Sequence, residues 1–203
     1  MNEKAMFQIG YGLYVLTAQE DGVDNGCITN SVMQVTSKPN RIAITVNKQN
    51  KTHDMIFRTA KAAVSVLTEA APFSIYQHFG FQSGKNVDKF ADFTDVARAE
   101  NGLYYVTKYT NAYMAGTVYH AIDLGTHTMF LLNVEECEIL SDVPSVTYNY
   151  YQKHVKPRPA ATETRDQKGY RCTVCGYIYE GEVLPEDFVC PICKHGAADF
   201  EPI

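Results

Sequence analysis

Two Cys-x-x-Cys knuckles, Cys172 with Cys175 and Cys190 with Cys193, stand 14 residues apart and constrain this chain more than any other stretch. Four thiolates at that spacing converge on one tetrahedral point, and each short knuckle aims backbone N–H groups at its sulfurs, which stabilises their charge. Such a shell takes zinc or iron, and the spacing does not choose between them. The 35 residues from Gly169 onward cannot bury a sufficient core unaided, so a metal staple is what such a piece requires. Four sulfurs already close the shell, so His195 reads as a solvated loop residue.

The other 168 residues suffice for one domain of ordinary size. Cys27 and Cys137 have no partner signature, so disulfides are not the framework. The first residues lack an apolar signal core, and no run of about 18 apolar residues occurs, so a cytoplasmic, reducing location without a membrane span is expected. The net charge of −5 is uneven: residues 169–203 carry two basic against six acidic side chains. That acidity argues against nucleic acid as the ribbon's partner and favours a basic docking face.

Along the chain, apolar alternation and turn residues predict strands at Tyr11–Thr17, across Cys27–Ser37, at Arg41–Val46 and at Ala62–Thr68. Helices are expected at Thr52–Ala60, with Thr52 as N-cap, and at Pro72–Phe79, with Pro at its first position. Phe79–Phe93 lacks a period and is expected to be a packed loop, followed by a short strand at Tyr104–Val106. The two longest β-rich runs, Ala112–Leu124 and His127–Ile139, meet at Gly125-Thr126 with hairpin spacing, and Ser145–Val155 has a helical look. Residues 157–168 show no apolar periodicity and read as a tether. The expected boundaries are therefore 1–155, a linker at 156–168, and 169–203. Many short strands with few helices predict a mainly β fold, a β-barrel with flanking helices, plus the small metal ribbon.

One constellation in the larger domain goes beyond pattern. Asn47-Lys48-Gln49-Asn50-Lys51 is polar with two cations, and it precedes a helix whose free N–H groups point back at it, the outline of an anion site. Gly10-x-Gly12 is not a dinucleotide fingerprint, since Val15 stands where a third glycine belongs and no helix follows. Cys27 reads as a small buried side chain, with no base near it in sequence.

The segments flanking the knuckles, Gly176–Tyr179, Leu184–Phe188, Pro191 and Asp199–Glu201, resemble rubredoxin over roughly Gly169–Pro202. That resemblance implies one iron per chain held by Cys172, Cys175, Cys190 and Cys193, inside an aromatic shell of Tyr170, Tyr177, Tyr179, Phe188 and Phe200. The inter-knuckle segment is shorter than usual, and Lys194-His195 replaces the glycine usual after the last cysteine. Asn25–Ser37 with Pro39, then Asn47–Thr52, then Gly125-Thr126-His127 with Phe130 resemble the flavin reductase family. This second resemblance implies a split β-barrel binding FMN at a homodimer interface. Thr29, Asn30, Ser31 and Gln34 would then line the isoalloxazine and ribityl chain, while Asn47, Lys48, Lys51 and Thr52 would hold ribityl and phosphate. His127 would meet the nicotinamide of NAD(P)H.

Both domains in one chain resemble the high-molecular-weight rubredoxins, which implies electron flow from NAD(P)H through FMN to iron and on to a flavodiiron-type protein acceptor. The competing classes are a regulatory barrel with a structural zinc ribbon, and a free-flavin reductase that leaves the ribbon idle.

Overall fold

The first two strands, β1 (Tyr14–Glu20) and β2 (Val23–Thr29), pair through a tight turn in which Asp21 and Gly22 both take positive φ, 51° and 78°. Two consecutive positive-φ residues make a type I′ turn, whose twist matches that of the strands it joins. The computed structural model describes residues 5, 8–157, 169–173, 176–191 and 195–203. It divides into two units, Met1–Lys153 and His154–Ile203.

The first unit continues through β3 (Val32–Ser37), β4 (Asn40–Asn47), α1 (Lys51–Thr59), β5 (Lys61–Leu67), α2 (Phe73–Gly80), β6 (Val96–Arg98), β7 (Tyr104–Val106), β8 (Thr110–Asp123) and β9 (His127–Ile139). Seven strands form one antiparallel sheet in the order β2-β1-β5-β8-β9-β4-β3. Its two edges are consecutive in sequence and joined only by Asn30-Ser31, so the sheet has to curl until they approach. Thr45 N–H donates to the Ser31 carbonyl (2.9 Å) at that corner, while no ladder joins β2 to β3. The fold is mainly β, as expected.

Inside the curl, Leu16, Cys27, Ile44, Val46, Val64, Phe130 and Leu132 from the strands pack with Met55 and Ile56 of α1. Burying each large apolar side chain stabilises the unit by about 1.5–3 kcal/mol. The curl needs bends, and β8 supplies them with bulges at Ala115/Gly116 and Val118/His120. At the first, a Cβ on Gly116 would lie 1.9 Å from the Asn133 carbonyl oxygen, so only glycine admits that approach.

Several sequence expectations shift. The run Cys27–Ser37 is not one strand: Thr29 Oγ1 accepts from Ser31 N–H (3.4 Å), and the chain turns at Asn30-Ser31 from one sheet edge to the other. The N-cap of α1 is Asn50 and not Thr52, because Asn47 Oδ1 accepts from Gln49 N–H (2.9 Å) and closes the turn two residues earlier. Pro72 is likewise the cap of α2 and not its first residue. Tyr11–Leu13 precede β1, with Gly12 bridged to Thr147. Of Ser145–Val155 only α3 (Tyr148–Tyr150) and a π turn (Tyr151–Val155) are helical, because Ser145 and Val146 are drawn into pairing with Thr68 and Leu67. Strand β6 had no clear sequence signal. The irregular stretch 81–93 does pack: Phe79 of α2 lies 5.5 Å from Phe90 and 5.0 Å from Phe93 between ring centroids.

In the second unit β10 (Tyr170–Cys172) runs between β11 (Ile178–Tyr179) and β12 (Phe200–Pro202). Phe188 fills its small core, 4.7 Å from Tyr179 and 5.3 Å from Phe200. Residues 158–168 of the expected tether lie outside the described residues.

Candidate functional site

A cleft of about 220 Å³ opens where the corner between β2 and β3 meets the start of α1 and the β8–β9 hairpin; it is lined by Thr29, Asn30, Ser31, Asn47, Asn50 and His127 on its polar side. Leu13, Ile28, Val46 and Tyr148 supply the apolar side. Each polar group is there for a local reason. Thr29 Oγ1 donates to the Thr45 carbonyl (3.2 Å), and Ser31 Oγ donates to Asn30 Oδ1 (3.0 Å), so the corner holds its own hydroxyls in place. Asn47 ends β4 opposite His127, and Lys48 N–H donates to the Thr126 carbonyl (3.1 Å), which ties the loop before α1 to the hairpin. His127 Nδ1 shares a hydrogen bond with Thr126 Oγ1 at 2.9 Å.

The nine-residue helix α1 begins at this cleft with Lys51 in its first turn, so its unpaired N–H groups and partial positive charge lie beside Asn47 and Asn50. An amphipathic ligand with a planar ring and a phosphate fits such a wall: side-chain amides and hydroxyls for ring edges and ribityl oxygens, a helix start with a cation for the anion. Asn50, Leu13 and Tyr148 were not among the sequence candidates. Asn50 was legible as an N-cap residue type; Leu13 and Tyr148 are brought in by long-range pairing that has no local signature.

The remaining candidates lie elsewhere. Thr52 is fully buried, and its hydroxyl accepts from Asn25 Nδ2 (2.9 Å) inside the barrel. Lys48 Nζ reaches Asp123 Oδ1 (2.6 Å) across a separate cavity of about 430 Å³ that also touches His53 and Phe57. There the Lys48 ammonium, with the Gly125 N–H, holds the Asp123 carboxyl below the usual carboxylate range. Gln34 lines a third cleft with Tyr14, Met114 and Cys137, and its Nε2 donates to Asn40 Oδ1 (3.0 Å). Cys27 is buried in the core beside Thr52, and burial pushes its thiol upward.

In the second unit Cys172 and Cys190 are buried. Each begins the same turn: Cys172 N–H donates to the Tyr177 carbonyl and Cys190 N–H to the His195 carbonyl, both at 2.8 Å. The flanking pairs match as well, Arg171 with Ile178 and Val189 with Gly196. Gly176, at φ 80°, donates back to the Cys172 carbonyl (2.9 Å) and turns the first knuckle. Two buried cysteines whose N–H groups make the same backbone contact fit the entry to a tetrathiolate metal site. Cys175 and Cys193 lie outside the described residues.

Residues 6–158 match the family model of the flavin reductase like domain, and residues 170–201 that of the rubrerythrin, rubredoxin-like domain. The chain is 36% identical to a high molecular weight rubredoxin of Moorella thermoacetica, with 100% of both chains covered. It is 34% identical to a ferric-chelate reductase (NAD(P)H) of Archaeoglobus fulgidus, over 81% of this chain and 96% of that one. Among solved structures, the NADH:FAD oxidoreductase SgcE6 of Streptomyces globisporus shares the fold with a TM-score of 0.64 at 23% identity, covering 71% of this chain and 84% of that one. The chain belongs to the flavin reductase-like family of oxidoreductases, with a rubredoxin-like domain following the flavin reductase-like one.

Proposed function

We propose that this chain is an NAD(P)H-dependent flavin/rubredoxin oxidoreductase. It holds FMN in the cleft and one iron at Cys172, Cys175, Cys190 and Cys193, and passes electrons to a separate protein of flavodiiron type. The proposed domains are residues 1–155 and 169–203, with a linker at 156–168. When bound, flavin exchanges the two-electron chemistry of a hydride donor for the one-electron chemistry of a mononuclear iron.

The chain's own residues bind and orient. The start of α1, with Asn47, Asn50 and Lys51, takes the phosphate and the ribityl oxygens next to it. Thr29, Asn30 and Ser31 meet the polar edge of the ring. His127, on the hairpin, is the proposed nicotinamide contact. Gln34 and Lys48 are assigned no direct contact in this cleft, since each faces another cavity. In the second unit the buried cysteines keep water from the metal while the acidic exterior, Glu180, Glu182, Glu186 and Asp187, offers a docking face to a basic partner.

The observation that carries this reading is the convergence of the Thr29–Ser31 corner, Asn47 and the start of α1 on one cleft. A homodimer is also proposed: Met33 is 65% exposed and Ile139 79%, apolar area that suits a second copy. A soluble, cytoplasmic location is proposed with it; among the described residues no helix is long and apolar enough to cross a membrane.

Anaerobic absorption spectra before and after NADH test the whole path. Yellow flavin bands and red ferric-thiolate bands that both bleach on addition are expected. Stoichiometric zinc in protein from an iron-sufficient native source would instead make the ribbon structural.

A further inference from the structure

Tyr148 and His127 are the two ring side chains among the residues that line the cleft, and Tyr148 belongs to no motif of the sequence. The Tyr148 ring is half-buried, with aliphatic Leu13 and Ile28 as its neighbours in the lining. Its backbone is pinned from both sides. Tyr148 N–H donates to the Tyr11 carbonyl (2.8 Å), Thr147 bridges Gly12, and Val146 N–H donates to the Leu67 carbonyl (2.9 Å). Thr147 Oγ1 caps the turn by accepting from Tyr150 N–H (3.1 Å).

Behind Tyr148 stands an aromatic cluster. Its ring centroid is 6.2 Å from that of Tyr151, which is 6% exposed and lies 4.5 Å from Tyr76 and 6.5 Å from Phe73. A tyrosine fixed at its backbone and backed by the ring of Tyr151, itself held between Tyr76 and Phe73, loses little freedom on meeting a ligand, which is the preorganisation that makes an aromatic contact effective.

We propose that Tyr148 is the stacking residue of the cleft, the side chain against which the planar flavin ring lies; this rests on the flavin reading above. A phenol in van der Waals contact with flavin quenches its fluorescence, because the excited ring takes one electron from the phenol and returns it without emission. A phenylalanine ring stacks equally well and is too hard to oxidise to do this. The wild type, Tyr148→Phe, Tyr148→Ala and, as a control for the neighbouring phenol, Tyr151→Phe are titrated with FMN, and binding is read by calorimetry together with the emission of the bound flavin.

The expected results are a dark wild-type complex, a dark Tyr151→Phe complex, and a Tyr148→Phe complex several-fold brighter at nearly unchanged Kd. Tyr148→Ala is expected to be bright and to bind about two- to tenfold more weakly, the range of one aromatic contact. Wild-type Kd and wild-type emission in both Tyr148 variants would overturn this proposal and leave the flavin reading standing. A wild-type chain that takes up no FMN would overturn both.

Discussion

The ammonium of Lys89, 4% exposed, donates to the carbonyl oxygen of Gly26 at 2.8 Å, and so fastens the loop that follows α2 to the middle of β2. It also donates to the Phe79 carbonyl (2.9 Å), while the Lys89 carbonyl takes a hydrogen bond from His78 Nε2 (2.6 Å). Replacing Lys89 by Met leaves two buried carbonyls without a donor, each at a cost of about 1–3 kcal/mol, offset in part by the charge no longer buried. Urea unfolding is expected to show a clear net loss of stability, and unchanged midpoints would refute the pin.

Burial lowers the Lys89 pKa from 10.5 to about 8. Between those values the unfolded chain binds a proton that the folded chain does not, so stability rises with pH from about 8 to 10.5, and the burial penalty is fully present below 8. The neutral amine keeps two N–H groups, enough for both carbonyls, so the pin survives the change. Thermal unfolding from pH 7.5 to 10 is expected to show wild-type Tm rising relative to Lys89→Met; parallel curves would contradict the assignment.

Lys51 and Thr52 separate into two roles. Thr52→Val removes the acceptor for the buried Asn25 amide, at about 1–3 kcal/mol of stability. The Thr52 hydroxyl faces the barrel interior and not the cleft, so FMN affinity is expected to change less than about threefold. Lys51→Ala leaves stability near wild type and weakens FMN on the order of tenfold or more, the worth of a charge-assisted phosphate contact. Calorimetry beside urea unfolding distinguishes them, and the reverse pattern would mean that the Thr52 hydroxyl meets the ligand.

The Tyr76 hydroxyl is buried with no hydrogen-bond partner among the described residues, and burial raises its ionisation well above the ordinary value. Tyr76→Phe removes an unsatisfied polar atom and keeps the ring against Tyr151. The variant is expected to be as stable as wild type or more so by up to about 1 kcal/mol. A loss beyond that would reveal a partner for the hydroxyl.

Metal removal should act on one unit only. Cys172 and Cys190 begin both turns of the second unit, where Phe188 and the rings around it form the apolar core among the described residues. A chelator under reducing conditions, or Cys172→Ser, is expected to make residues 169–203 protease-sensitive while the first unit melts as before. Resistance of the apo second unit to protease would show that its apolar contacts suffice.

What the sequence made legible follows from how local each signal is. The β8–β9 hairpin is short-range chemistry, and it falls where its residue types place it, with β9 beginning at His127. Pairings between distant segments leave no such mark: Ser145 looked helical because nothing nearby shows that Thr68 will claim it. The same blindness hid Tyr148, carried to the cleft by Gly12 and Tyr11. Thr52 misled because a hydroxyl before an apolar run suits either a cap or a buried partner, and Asn25 decides it.

Thr29 accepts from Ser31, donates to Thr45 and lines the cleft at once, at the only covalent join between the two edges of the sheet. A replacement there is judged twice, once for the ligand and once for the seam, so this corner has little room to drift. A new ligand preference would evolve more readily from Tyr148 or His127, whose side chains stand apart from the closure.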